Sequence, residues 1–455
     1  MAIESINPAN GKKIKRYAAL KPGAVKSKIG LAREAFEQWK GVSLGKRAAL
    51  FRKAAALLEK KKIDLARLMA LEMGKPLAQG VSEIEKCAWV CRYYSEHAGE
   101  FLQPQPIATD ASKSYVSFEP LGVVLAVMPW NFPFWQVFRF AAPSLMAGNT
   151  GLLKHASNVP GCALAVEEIF QEAGFPEGVF QTLLIDSAQV GEVMEDKRVQ
   201  AVTLTGSTGA GKAIAAKAGS LLKKTVLELG GSDPYVILED ADLEKAAEIC
   251  VNARVLNGGQ SCIAAKRFIV VRPVEQKFIR LFKERMMEKK MGDPLEEDID
   301  IGPQARRDLR DQLHEQVLES IVKGARCVLG GKKPEGPGAF YPPTILTRVK
   351  KGMPAYDEEL FGPVAAFISA KDEADALMKA NDTVFGLGAA VFTRNRKKGE
   401  EIASRLLEAG SCFVNGQVHS DPRLPFGGIK QSGYGRELGI FGIREFVNIK
   451  TVYVT

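Results

Sequence analysis

Apolar positions in the first hundred residues recur at helical spacing. Leu50, Ala54, Leu57 and Leu58 fall on one face. Gly74-Lys75-Pro76 ends that run, because glycine and proline stop helices. From about residue 115 the period changes. Short unbroken apolar runs alternate with amphipathic stretches, a pattern that predicts βαβ units around a parallel sheet. Val123–Met128 is such a run, closed by Pro129, and Gly151-Leu152-Leu153 leads into Lys154. Runs at 182–185, 201–205 and 225–229 follow, with helices expected at 161–173 and 210–222. A second series begins after Gly230, with strands expected at 235–238, 268–271, 365–368, 389–392 and 411–414 and helices at 243–256 and 274–290. The chain thus reads as two α/β domains meeting near Glu228. The polar, β-prone stretch 112–118 and the final 449–454 lie outside both. There is no internal repeat and no low-complexity linker.

In an open parallel sheet, ligands bind beyond the carboxyl ends of the strands. Asn131, Lys154, Gly206-Ser207-Thr208 and Glu228 all stand at such ends, so they collect at one rim. Gly206 to Lys212 has the spacing of a phosphate-binding P-loop, but Ala213 stands where the magnesium-binding hydroxyl belongs. The other reading is a strand-to-helix turn whose amides face a pyrophosphate. In Asn257-Gly258-Gly259-Gln260-Ser261-Cys262, two glycines let the backbone approach a ligand closely. Cys262 is then placed as an exposed nucleophile, against the alternative of a buried structural thiol. A Cys–His hydrolase would have few bases here, since His97, His155, His314 and His419 all lie far from Cys262 in sequence. Cys87 and Cys91 with His97 lack zinc spacing. Two buried thiols on one helical face explain them, and no metal is expected.

Composition narrows the class further. The 455 residues suit two or three domains, with 46% hydrophobic and 25% charged positions as in ordinary globular proteins. No run is long and apolar enough to span a membrane. The start, Met1 to Pro8, lacks the features of a signal or transit peptide, so the expected location is cytoplasmic. Seven scattered cysteines do not form a disulfide framework and fit a reducing compartment. The net charge of +9 is spread among acidic residues instead of forming the stripe of a nucleic-acid binder.

The chain resembles the aldehyde dehydrogenase superfamily along nearly its whole length. The resemblance is carried by Pro129-Trp130-Asn131-Phe132-Pro133, Gly206-Ser207-Thr208, Glu228-Leu229-Gly230-Gly231, Gly259-Gln260-Ser261-Cys262, Glu359-Leu360-Phe361-Gly362-Pro363 and Pro425-Phe426-Gly427-Gly428. Residues 128–139 and 420–428 look more narrowly like the short bacterial succinate-semialdehyde dehydrogenases. The resemblance implies an α/β fold with three parts: a Rossmann-type cofactor domain (1–111 and 119–229), an α/β catalytic domain (230–438) and a small β oligomerisation arm (112–118 and 439–455). It implies a homodimer or homotetramer.

The resemblance also implies residue roles. Cys262 would attack the aldehyde carbon, Asn131 and the Cys262 N–H would hold the oxyanion, and Glu228 would activate water against the thioester. Trp130, Asn131, Lys154, Ser157, Gly206, Ser207, Thr208, Leu229, Glu359 and Phe361 would contact the dinucleotide, although Glu358 beside Glu359 leaves a register ambiguity. In NAD-preferring relatives a glutamate stands where this chain has neutral Ser157, so NADP is the expected cofactor, with NAD accepted. Trp135, Arg139 and Ser420 would meet the substrate, with Arg139 suited to a carboxylate. That favours succinate semialdehyde. The alternative for Arg139 is a structural salt bridge. Some relatives have a second arginine six residues before the nucleophile, where this chain has Leu256, so glutarate semialdehyde and aliphatic or betaine-type aldehydes stay open. A P-loop nucleotide binder and a non-catalytic structural relative are the readings from other classes.

Overall fold

A computed structural model describes residues 2–455, with side chains from Ile3 onward. The chain opens with an antiparallel hairpin, β1 (Ala2–Ile6) and β2 (Lys13–Ala18). Three helices follow: α1 (Pro22–Trp39), α2 (Leu44–Met73) and α3 (Leu77–Phe101). Ser43 caps α2 at its start, and Gly74 ends it at φ 79°, the left-handed conformation that the glycine permits. The face of α2 expected from spacing is the buried one, with Ala54 and Leu58 fully covered.

Two strands, β3 (Gln105–Pro106) and β4 (Lys113–Pro120), then stand apart from the main sheets. Next come β5 (Val123–Met128), β6 (Thr150–His155), β7 (Phe180–Thr182), β8 (Val199–Thr205) and β9 (Lys224–Glu228). They lie parallel in the order β9-β8-β5-β6-β7. The order reverses between β5 and β8, which makes their carboxyl ends the crevice of a doubly wound sheet. The helices of this half are α4 (Trp135–Ala147), α5 (Pro160–Glu172), α6 (Val190–Glu195) and α7 (Thr208–Ser220).

The second sheet comprises β10 (Asp233–Ile237), β11 (Ala265–Val271), β12 (Arg326–Leu329), β13 (Thr344–Thr347), β14 (Val364–Ala370), β15 (Gly388–Phe392) and β16 (Ser411–Val414). Their order is β12-β13-β14-β11-β10-β15-β16, all parallel except β12. Successive residues of β10 enter opposite cores: Tyr235 and Ile237 on one face, Val236 on the other. Helices cover both faces, which is why these strands read as unbroken apolar runs and not as alternation.

Two further strands complete the chain. β17 (Gly433–Tyr434) returns to the first sheet and pairs antiparallel with β9, so residues before 438 leave the second sheet. β18 (Val447–Val454) pairs with β4 in unbroken register from Val447↔Pro120 to Val454↔Lys113.

Three features depart from the pattern-based expectation. The first hundred residues do not all form helices, because β1 and β2 precede them. β2 is almost wholly exposed and lysine-rich, so it carries no apolar alternation to detect. The strand expected at 182–185 lies at Phe180–Thr182, while Leu183 and Ile185 are buried beyond the strand end. β12 and β13 were not anticipated.

Candidate active site

The loops leaving β5 and β8 enclose a cavity of roughly 310 Å³ at the predicted crevice. Trp130, Asn131, Gly206, Ser207, Leu229, Cys262, Glu359 and Phe361 all line it. The turn into α7 is tight: Ser207 accepts a hydrogen bond from the Ala210 amide and caps the helix, leaving Lys212 exposed. A lysine in solvent does not fold over a phosphate loop, so the P-loop reading loses its central residue. The helix N-terminus and the neighbouring glycine amides remain a fitting seat for a pyrophosphate.

The Cys262 loop is fixed from several sides. Asn257 and Gly258 have φ of 55° and 61°, and the Asn257 side chain donates to the carbonyls of Asn131 (2.7 Å) and Gln260 (3.2 Å). Arg254 does not face a substrate; it is fully buried and donates to the Gly259 carbonyl at 2.6 Å. Lys266 holds the other side of the loop through the carbonyls of Ser261, Cys262 and Ala264 at 2.9, 2.8 and 3.3 Å. The Asn131 amide gives one hydrogen to the Gln260 carbonyl at 3.1 Å. Its second hydrogen has no acceptor among the described residues and can serve an oxyanion. Burial pushes the Cys262 thiol up to about 12, with Arg139 and Lys266 pulling the other way.

Of the two adjacent glutamates, Glu359 lines the cavity and Glu358 does not. Glu359 Oε1 accepts from the Gly231 amide at 3.1 Å and lies 3.5 Å from Lys266 Nζ, while Glu358 is exposed and bound by Gln316. A β-carbon at Gly231 would stand 2.7 Å from the Cys262 carbonyl oxygen, so the motif needs glycine there for the two loops to approach closely.

Glu228 ends β9 and is buried beneath Gly427. Neither carboxyl oxygen has a hydrogen-bond partner among the described residues. Burial, reinforced by the nearby Glu437, holds its carboxyl well above the usual range, whereas Arg139 and Arg436 oppose the shift. In this rotamer Glu228 lines neither cavity, so it must swing toward Cys262 to act on a water there.

A second cavity of roughly 220 Å³ opens on the far side of Cys262. Trp135, Arg139 and Ser420 come together in its lining, with Gln79, Ser82, Glu83 and Lys86 of α3. Arg139 also forms the salt bridge that was its structural alternative: Nε pairs with Glu437, and Nη2 reaches the Thr205 hydroxyl at 3.3 Å. Glu83 fixes the start of α4 by accepting from the amides of Phe134 and Trp135, both at 2.9 Å, while Lys75 neutralises it.

Lys154, Ser157 and Thr208 do not line the first cavity. Lys154 is buried within β6, not after it, and has no ion-pair partner among the described residues. Burial lowers its pKa, against the pull of Asp186. Ser157 is exposed in a separate cavity of about 790 Å³ that Asp186 also lines, and Thr208 begins α7.

The sequence matches the Aldehyde dehydrogenase family over residues 1–452. The chain belongs to that family. A probable succinate-semialdehyde dehydrogenase [NADP(+)] of Synechocystis sp. is 52% identical over the full length of both chains. Succinate-semialdehyde dehydrogenase [NADP(+)] 1 of Mycobacterium tuberculosis is 47% identical, again over 100% of both. The crystal structure of succinic semialdehyde dehydrogenase from Streptococcus pyogenes in complex with NADP+ superposes with a TM-score of 0.97 at 36% identity, covering all of each chain.

Within this aldehyde dehydrogenase fold, the sequence reading missed three charged residues of the site. Lys266 carried a signal, being a charged residue inside the buried strand β11. Lys86 carried a weaker one: Gln79, Ser82, Glu83 and Lys86 recur at helical spacing along α3. Glu437 carried none, because only the return of the chain at β17 brings it beside Arg139.

Proposed function

We propose that this chain oxidises succinate semialdehyde to succinate and prefers NADP to NAD. The observation that carries the reading is that Cys262 lines both cavities, one fitted to a dinucleotide and the other to a small aldehyde. In the first, Trp130, Gly206, Ser207, Leu229, Glu359 and Phe361 would hold the cofactor, with Lys154 and Ser157 toward the adenosine ribose. The bound nicotinamide supplies the hydride acceptor. Cys262 Sγ, once deprotonated, adds to the aldehyde carbon. The oxyanion takes the free hydrogen of Asn131 and the Cys262 amide, each such donor being worth about 3 kcal/mol in comparable sites. Oxidation leaves a thioester on Cys262, and Glu228 takes a proton from the water that cleaves it.

The names of the full-length relatives agree with this substrate and cofactor. Neutral Ser157 leaves no carboxylate at its position to repel a 2′-phosphate. The free thiols fit a reducing compartment, and we place the enzyme in the cytosol; no helix among the described residues is long and apolar enough to cross a membrane. The β4–β18 ribbon would join subunits into a dimer or a tetramer of dimers. The test is an aldehyde panel run with both cofactors. Succinate semialdehyde with NADP should give the highest kcat/KM; a higher value with butanal or with NAD would overturn the corresponding half of the reading.

A further inference from the structure

Helix α3 turns Gln79, Ser82, Glu83 and Lys86 toward the substrate cavity. Glu83 is already committed to Lys75 and to the first amides of α4. Lys86 is not committed to any anion. Its Nζ donates to Ser420 Oγ at 2.9 Å and sits 4.4 Å from the centre of the Trp135 ring. No carboxylate lies within ion-pair distance of it among the described residues. Several charged or titratable groups surround it at longer range: Glu83 and Cys87 on its own helix, Arg139 on α4, and Asp421 with His419 on the loop after β16. The strongest of these influences is Arg139, which has the same sign.

Two cations therefore face one small cavity, and only one has a counter-ion. Arg139 is held by Glu437 and Thr205. A desolvated ammonium without an anion is unfavourable, and burial brings Lys86 down to about 8. A carboxylate entering the cavity would relieve the repulsion and accept from both Lys86 and Ser420.

We propose that Lys86, presented with Ser420, is the residue that recognises the distal carboxylate of the substrate, with Arg139 in a supporting place. This rests on the ω-carboxy aldehyde reading above. It extends that reading to a helix outside the recognised motifs, and it explains how the site reads a carboxylate with Leu256 in place of a second arginine.

The experiment compares kcat/KM for succinate semialdehyde with that for butanal, an uncharged aldehyde of the same chain length. It uses the wild type, Lys86→Met and Lys86→Arg, and activity on butanal reports that each variant has folded. The wild type should favour the semialdehyde; if it does not, the substrate reading itself fails, and this proposal with it. Given that preference, Lys86→Met should lower the ratio at least tenfold, chiefly through KM. Lys86→Arg, which keeps the charge, should hold the ratio within about threefold of wild type. The wild-type ratio should also decline as pH rises through 8, where the ammonium is lost, and Lys86→Arg should flatten that decline. An unchanged ratio in Lys86→Met, or an equal fall in both variants, would overturn the assignment.

Discussion

At the residue scale, Cys262 combines access to two cavities with a thiol that burial keeps protonated. Burial pushes that thiol up to about 12, so the thiolate is expected to be scarce at neutral pH and to grow with alkalinity. Inactivation of the cofactor-free enzyme by iodoacetamide should be slow at pH 7 and rise about tenfold per pH unit; a plateau near pH 7 would contradict this. Cofactor choice is tested at Ser157. Ser157→Glu should shift the kcat/KM preference from NADP toward NAD by repelling the 2′-phosphate, and an unaltered preference would show that Ser157 does not read it. Cys262 and Asn131 could be singled out from local motifs, since glycines and strand ends mark where a backbone opens to ligand. Lys86 left only the weak signal of polar residues recurring along α3, and Glu437 left none, because a segment remote in sequence brings it to the site.

The element scale explains the two occupations of Arg139. It projects from α4 into the substrate cavity, yet Glu437, delivered by the segment after β17, neutralises it from behind. Both side chains are nearly inaccessible, at 2% and 5% exposure, so removing one leaves the other buried without a partner. Arg139→Ala should therefore cost about 3–5 kcal/mol of folded stability in a denaturant titration and impair turnover of charged and uncharged aldehydes alike. A variant of wild-type stability that loses only the carboxylate substrate would show that the Glu437 pair is secondary. Most strands of both sheets could be read from their apolar runs because helices bury them on both faces. The hairpin β1–β2 could not, because β2 lies on the surface with no apolar alternation and is tied to β1 by its backbone ladder and by the Lys13–Glu4 ion pair.

For the whole molecule, β18 pairs with β4 on one side and leaves its other edge open. Ile449 is 62% exposed and Tyr453 48%, beside Val454. An uncovered edge of this kind invites another chain, and the β propensity of 112–118 and 449–454 was enough to single out both segments. Light scattering should find a dimer or tetramer, and deletion of 447–455 should reduce it to smaller species; a stable full-length monomer would refute the assembly. In the proposed cycle one aldehyde molecule passes through a thioester on Cys262, which Glu228 then clears. Its most direct test is a single turnover of Glu228→Gln with succinate semialdehyde and NADP, followed by peptide mass mapping. The expected result is a burst of about one reduced cofactor per site and a succinyl group trapped on the peptide carrying Cys262. A full burst with Cys262 unmodified, or with the succinyl group on another residue, would contradict it.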